Sequence, residues 1–265
     1  MNEILVNRVA FSIFGMEVYW YGIFITTGIL AAFLLAFLLA KRRGLTNNLP
    51  YEIIIAILPL GILGARLFSV LFDADLGIAD FFKFREGGMS IIGAVIGGAI
   101  GVGVLCLIRK HNFLEIADLL CTVLILAQAI GRWGNFFNSE LYGQEIVNPA
   151  LQKFPLAVEI DGKYYEALFF YESVLNLLGF AGLMCIYWFV RIKGVAMGAY
   201  FLHYGIVRFV LEPRRQAEYI LRLGDIPVSR LMSLVMIIIG VATLVATIVV
   251  YFVKKKKGKV IASER

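Results

Sequence analysis

The chain has 265 residues, of which 60% are hydrophobic and only 17% charged, and its mean hydropathy is +0.84. That composition excludes a soluble domain of this size and fits a polytopic membrane protein. The net charge of +6 does not imply nucleic acid as a partner, because most of the excess lies in the Lys254–Lys259 tail, placed to meet the anionic headgroups of an inner leaflet.

About 20 apolar residues cross a bilayer. Seven stretches qualify, at 18–40, 51–72, 88–108, 114–131, 167–190, 195–212 and 229–253, the fourth and sixth being short. The expected fold class is therefore all-α and polytopic, with seven transmembrane helices in a single integral membrane domain over 1–265. The first apolar run is long and is followed by basic residues, as in a retained first helix rather than a cleaved signal. Loops after the odd-numbered spans hold Lys41, Arg42, Arg43, Arg109, Lys110, Arg191, Lys193 and the basic tail. The positive-inside rule then puts the C-terminus in the cytoplasm and the N-terminus outside.

Trp20-Tyr21-Gly22 opens the first span, where an aromatic belt is the simplest role. Arg66, in Gly64-Ala65-Arg66, lies near the outer end of the second, and packing and ligand binding are equally open for it. Gly87-Gly88-Met89-Ser90 leads into the third. The two glycines there either make a plain turn or let backbone N–H groups approach a ligand. Gly93, Gly97 and Gly101 then repeat every four residues, the pattern of a close helix crossing.

Cys106, Cys121 and Cys185 all fall inside spans with no zinc spacing, and read as small apolar side chains. His111 and His203 are far apart, so neither a metal nor a cofactor is expected. Asp118, on the inner side of the fourth span, reads as the structural partner of a helix end.

The fourth span closes on Gly131-Arg132-Trp133-Gly134-Asn135-Phe136-Phe137-Asn138-Ser139-Glu140-Leu141-Tyr142-Gly143. Charged groups at such a depth are costly and must have a use. An arginine fork backed by neutral amides suits a lipid phosphate, since no anion competes for it. The alternative is an interfacial cap in which Arg132 reaches to water. The segment 132–166 is expected to form a small extracytoplasmic head, with an Asp161-Gly162 turn joining Val158-Glu159-Ile160 to Lys163-Tyr164-Tyr165 as a hairpin.

Glu172 begins the fifth span. Arg208 and Glu212, four apart on one face of the sixth, could be a structural ion pair or part of a site. Arg66, Arg132 and Arg208 with Glu140, Glu172 and Glu212 at one depth point to a water-accessible, anion-binding cavity open to the outer leaflet.

Gly131 to Glu140 resembles the signature of bacterial prolipoprotein diacylglyceryl transferases. So do Trp20-Tyr21-Gly22, Gly64-Ala65-Arg66, Gly87-Gly88-Met89-Ser90, Tyr171-Glu172-Ser173 and Tyr204-Gly205-Ile206-Val207-Arg208-Phe209-Val210-Leu211-Glu212. These pieces run in the family's order along essentially the whole chain.

The resemblance implies a multi-pass enzyme of the bacterial cytoplasmic membrane with its site toward the outer face. It would move the diacylglyceryl group of phosphatidylglycerol to the lipobox cysteine of a preprolipoprotein and release glycerol phosphate, the first step of lipoprotein maturation. Its partners would be phosphatidylglycerol, the lipobox peptide and membrane lipids. Arg132 would bind the lipid phosphate, with Arg66 expected as a second contact; Tyr21, Asn135, Glu140, Arg208 and Glu212 would belong to the catalytic site.

Three positions depart from the family pattern. Ile92 stands where histidine or tyrosine is common, Glu166-Ala167 near an expected His-Pro, and Arg230 near a usual glutamine. Isoleucine moves no proton, which leaves Glu140, Glu212 and Tyr21 as candidate bases. His203 is five residues before Arg208, about 140° around the helix, and reads as a helix-interface residue. A diverged lipid-binding relative is the alternative. A small-anion transporter would need a polar path to the inner side, where only Asp118 and Glu52 stand.

Overall fold

The structure is a computed structural model that describes residues 8–72, 77–83, 88–216, 220, 222–223, 226–256 and 258. Gly87 and the Lys257 and Lys259 ends of the basic tail lie outside the described residues. Seven helices carry the fold: α1 (Trp20–Arg42), α2 (Leu49–Phe72), α3 (Ile91–Arg109), α4 (Phe113–Asn138), α5 (Leu168–Phe189), α6 (Val195–Leu211) and α7 (Val228–Lys256). Six of them are long and apolar enough to cross a membrane; α6, with 17 residues, falls just short of that length. The protein is a helical, polytopic membrane protein.

Among the described residues three antiparallel strand pairs punctuate the helices: β1 (Val9–Ile13) with β2 (Met16–Tyr19), β3 (Ala157–Ile160) with β4 (Lys163–Glu166), and β5 (Arg222–Leu223) with β6 (Ile226–Pro227). The β3–β4 hairpin has the expected turn. Asp161 and Gly162 both take positive φ, 50° and 75°, as a two-residue turn matched to strand twist requires. The β1–β2 hairpin was not expected. Its turn, Phe14-Gly15, carries a single turn-forming residue, and the strands are too short for alternation to stand out.

The expected spans agree with the helices except at one end. The fourth was expected to stop at 131, but α4 continues to Asn138. Hydropathy falls at Arg132 because side-chain polarity rises there, yet no proline interrupts the backbone and the polar groups find partners within the protein. The loop expected at 132–166 therefore begins at Ser139, whose φ of 52° turns the chain off the helix.

The chain divides into two compact units, residues 36–117 and the described parts of 1–35 and 118–265. In the first, α2 and α3 cross on glycines. A Cβ at Gly93 would strike the carbonyl of Gly64, one at Gly97 that of Leu60, and one at Gly101 that of Ala56. The four-residue repeat is thus the contact face, as its spacing predicts. Arg109 and His111 meet the carboxylate of Glu52 at 3.0 and 3.5 Å.

In the second unit, Asp118 accepts from the backbone N–H of Gly194 and of Met197, both at 2.8 Å, and so caps the start of α6. Further along α6, Gly198 and Gly205 admit α7, whose Gly240 and Ser233 carbonyls would meet an added Cβ at 3.2 and 3.0 Å. His203 sits between α5 and α6, with Nε2 at 3.1 Å from the Leu175 carbonyl and no room for a Cβ at Gly179. The β3–β4 hairpin packs Val158 against Ala167 and Phe169 at the start of α5, with Trp133 and Phe136 of α4 against them. Asp118 and His203 thus tie α4 and α5, respectively, to α6.

Candidate active site

Three guanidinium groups and two carboxylates meet where α4, α5 and α6 converge. Arg132 reaches from the last two turns of α4 to Glu172 on the first turns of α5, with Nη2 2.6 Å from Oε1. Arg208 binds Glu212 at 2.8 Å, an i, i+4 pair that straddles the end of α6. Pro213 stops that helix, and the 3₁₀ turn Glu212–Arg214 swings the chain back. Arg215 can therefore reach inward, donating to Glu172 Oε2 at 3.3 Å and lying 3.7 Å from Glu212 Oε2. Glu172 Oε2 also lies 3.7 Å from Arg208 Nη1, so this one carboxylate touches all three arginines. Buried charges are tolerable only in such shared pairs, since removing one partner strands the other.

Neutral groups hold the cluster from behind. Arg132 Nη2 donates to the Tyr204 hydroxyl at 3.4 Å. The Tyr204 ring stacks on Tyr200, centroids 5.7 Å apart, and the Tyr200 hydroxyl accepts from Gln128 at 2.9 Å. Trp133 donates to Ser173 Oγ at 3.2 Å, and Ser173 donates to the Ala129 carbonyl at 2.8 Å, which locks α4 against α5 beside the cluster.

A hydrogen-bonded chain leads from the cluster to a second centre. Arg132 Nη1 donates to Asn135 Oδ1 at 3.4 Å, and Asn135 Nδ2 donates to Glu140 Oε1 at 2.8 Å. Asn138 Nδ2 donates to the same oxygen at 3.3 Å. Glu140 is folded back by its own N–H, which bonds the Asn135 carbonyl at 3.1 Å. With Asn138, Ser139, Arg8, Tyr19, Tyr21 and Gly22, Glu140 lines an open cavity of about 590 Å³.

Tyr21 packs against Gly134, where a Cβ would lie 2.9 Å from its ring; only glycine lets α1 approach α4 so closely there. Tyr19 donates to Glu17 at 2.7 Å, and that hydrogen bond to a carboxylate holds the phenol above its usual pKa. Tyr19 is therefore a donor and not a base.

The structure brings Arg132, Asn135, Glu140, Tyr21, Arg208 and Glu212 into these two linked centres within one unit. Arg66, expected as a second phosphate contact, belongs to the other compact unit. Arg66 is buried, and its guanidinium donates to the carbonyls of Asp80, Phe81, Lys83 and Gly88. Those four hydrogen bonds tie Arg66 to backbone that follows α2.

Sequence reasoning gave Arg215 and Tyr204 no role at all and counted Glu172 only among the polar groups. Arg215 lies outside every apolar run and reads as ordinary loop charge; its signal was the Pro213 turn beside an acidic residue. Two departures also find local partners: Glu166 pairs with Arg214 at 2.9 Å, and the guanidinium of Arg230 lies 4.7 Å over the Phe209 ring.

Residues 8–246 match the family described as prolipoprotein diacylglyceryl transferase. The chain belongs to that family. It is 38% identical over 261 residues to a phosphatidylglycerol–prolipoprotein diacylglyceryl transferase 1 of Clostridium perfringens, a match covering 96% of this chain and 98% of that one. A protein of Finegoldia magna with the same name, without the numeral, is 38% identical over 241 residues, covering 89% and 93%. One from Listeria monocytogenes is 34% identical over 268 residues, covering 96% of each. The prolipoprotein diacylglyceryl transferase match starts at Arg8 and ends within α7, so both centres lie inside it.

Proposed function

We propose that this chain transfers the diacylglyceryl group of phosphatidylglycerol to the lipobox cysteine of preprolipoproteins and releases glycerol phosphate. The observation that carries the reading is the buried Arg132–Arg208–Arg215 cluster wired through Asn135 to Glu140 in an open cavity. Arginines bind the lipid phosphate and stabilise the charge that grows on it as it leaves. The cavity admits the cysteine of the peptide.

The thiol, with an ordinary pKa of about 8.5, is mostly protonated at neutral pH and gains from a base. Glu140 fits that role. Its Oε1 is taken by two amides, while Oε2 has no hydrogen-bond partner among the described residues. Glu212 fits poorly, because its carboxylate is buried between Arg208 and Arg215. A base at Glu140 also makes Ile92 unremarkable, since the proton leaves by another group.

The sulfur lone pair then attacks the glyceryl carbon that bears the phosphate oxygen. A C–S bond forms and the C–O bond breaks, with its electron pair going to the phosphate. The thiol proton passes to Glu140 and on to solvent.

The same reading places seven spans in a single membrane domain over 1–265, with the N-terminus and the head outside and the C-terminus in the cytoplasm. As the sixth span, α6 would be about 25 Å long, short of a hydrocarbon core of about 30 Å. Its ends would then sit below the headgroups, which puts Arg208 and Glu212 where the phosphate of a lipid drawn slightly inward would come. The site would face the outer leaflet of a bacterial cytoplasmic membrane.

The test is direct. Purified protein is mixed with phosphatidylglycerol and a lipobox peptide, and mass spectrometry looks for the diacylglyceryl thioether on the cysteine. An adduct that drops about 10²–10³-fold in Arg132→Ala supports the reading. Bound lipid with no adduct in the unaltered protein would sink it.

A further inference from the structure

The arginine cluster holds more counter-charge than an anion site needs. Three guanidinium groups face two carboxylates that lie deeper than they do. The side chains of Arg132 and Arg208 are 18% and 13% exposed, those of Glu172 and Glu212 3% and 1%. An incoming anion would thus meet the guanidinium groups first, with the carboxylates beneath. Arg208 Nη1 and Arg215 Nε are buried and make no hydrogen bond among the described residues. Each lies 3.7 Å from a carboxylate oxygen, too far for a hydrogen bond, so each keeps a donor for a closer acceptor.

The net charge of the five groups is one positive. A phosphodiester such as the headgroup of phosphatidylglycerol carries one negative charge and would neutralise it. Glycerol phosphate is a monoester whose second ionisation has a pKa of about 6, so it carries nearly two at neutral pH. The reaction therefore raises the negative charge in the site as it proceeds, and a strongly cationic pocket would keep the product.

We propose that Glu172, the carboxylate touching all three arginines, sets the charge of the site so that the monoanionic phosphodiester is matched and the dianionic product is let go. The proposal rests on the transferase reading and deepens it. Glu172 is a positioning and specificity-determining residue here, acting through Arg132, Arg208 and Arg215.

Calorimetry on the solubilised full chain tests this with two water-soluble probes: glycerophosphoglycerol, a monoanionic diester, and glycerol phosphate. The unaltered protein should bind the diester at least as tightly as the monoester. Glu172→Gln should tighten glycerol phosphate by at least about tenfold and the diester by less, because one buried negative charge is removed a few ångströms away. Glu172→Asp, which keeps the charge, should stay near the unaltered preference.

In turnover assays, glycerol phosphate should become a stronger competitive inhibitor of Glu172→Gln in the same ratio. A Gln variant that weakens both probes together would show a merely structural role and overturn the proposal. So would an unaltered protein that prefers the monoester tenfold or binds neither probe, and those outcomes decide the matter even where the variant fails to fold. The two readings fail separately: absence of the thioether adduct sinks the transferase, whereas an adduct-forming enzyme that prefers the monoester sinks only the role of Glu172.

Discussion

Glu140 owes its position to two amide donors and to a backbone bond that folds it onto the end of α4. Replacing it by glutamine keeps an oxygen for Asn135 and Asn138 but removes the proton acceptor. We expect Glu140→Gln to bind phosphatidylglycerol as before and to form the thioether about 10²–10⁴-fold more slowly. Initial rates across lipid concentrations check this, and an unchanged maximal rate would move the base elsewhere. At this scale the sequence was legible wherever a polar residue interrupts an apolar run: Arg132, Asn135, Glu140, Arg208 and Glu212 announce themselves by their cost. It was illegible where the partner decides the role. Arg66 looks like Arg132 on paper, but its partners are carbonyls 14 to 22 residues further along, and carbonyls carry no sequence signal.

Helix ends and crossings hold the two units together internally, and one device in each can be broken singly. Asp118 supplies the only side-chain cap seen among the described residues at the start of α6, the helix that carries Tyr204 and Arg208 and leads into Glu212. Asp118→Ala leaves two N–H groups without an acceptor, one of them buried, and should lower stability by about 1–3 kcal/mol. Thermal unfolding in detergent measures the loss, with Asp118→Asn expected to recover part of it.

At the crossing of α2 and α3, a side chain at Gly97 meets the backbone of Leu60, which cannot swing aside. Gly97→Val should destabilise by about 1–3 kcal/mol or more. Gly103→Val, with nothing near its Cβ, should cost far less and serves as the comparison. Such periodic glycines and the Asp161-Gly162 turn were legible because their constraint is local. The end of α4 was not, because a hydropathy window counts polarity and cannot see that Arg132, Asn135 and Asn138 are satisfied by groups from α5, α6, their own helix and the loop that follows it.

For the molecule in its membrane, charge asymmetry and the site must agree on a side. Along the chain, Arg109 and Lys110 precede α4 and Arg191 and Lys193 follow α5, whereas Glu140 and the segment 139–166 join the other ends of those two helices. If Lys and Arg hold the former ends in the cytoplasm, the latter must meet the outside. On the proposed function, a polypeptide that has already crossed would present its cysteine from that side.

Two reporter cysteines test the arrangement. Cys185, the exposed native thiol, is first replaced by serine, while Cys106 and Cys121 are buried. Lys153→Cys in the head and Lys255→Cys at the end of α7 are both at exposed positions. On intact cells, a membrane-impermeant maleimide should label Lys153→Cys and leave Lys255→Cys untouched until the membrane is opened. The reverse pattern would turn the chain over and put the arginine cluster on the side where neither the peptide nor this chemistry could meet it.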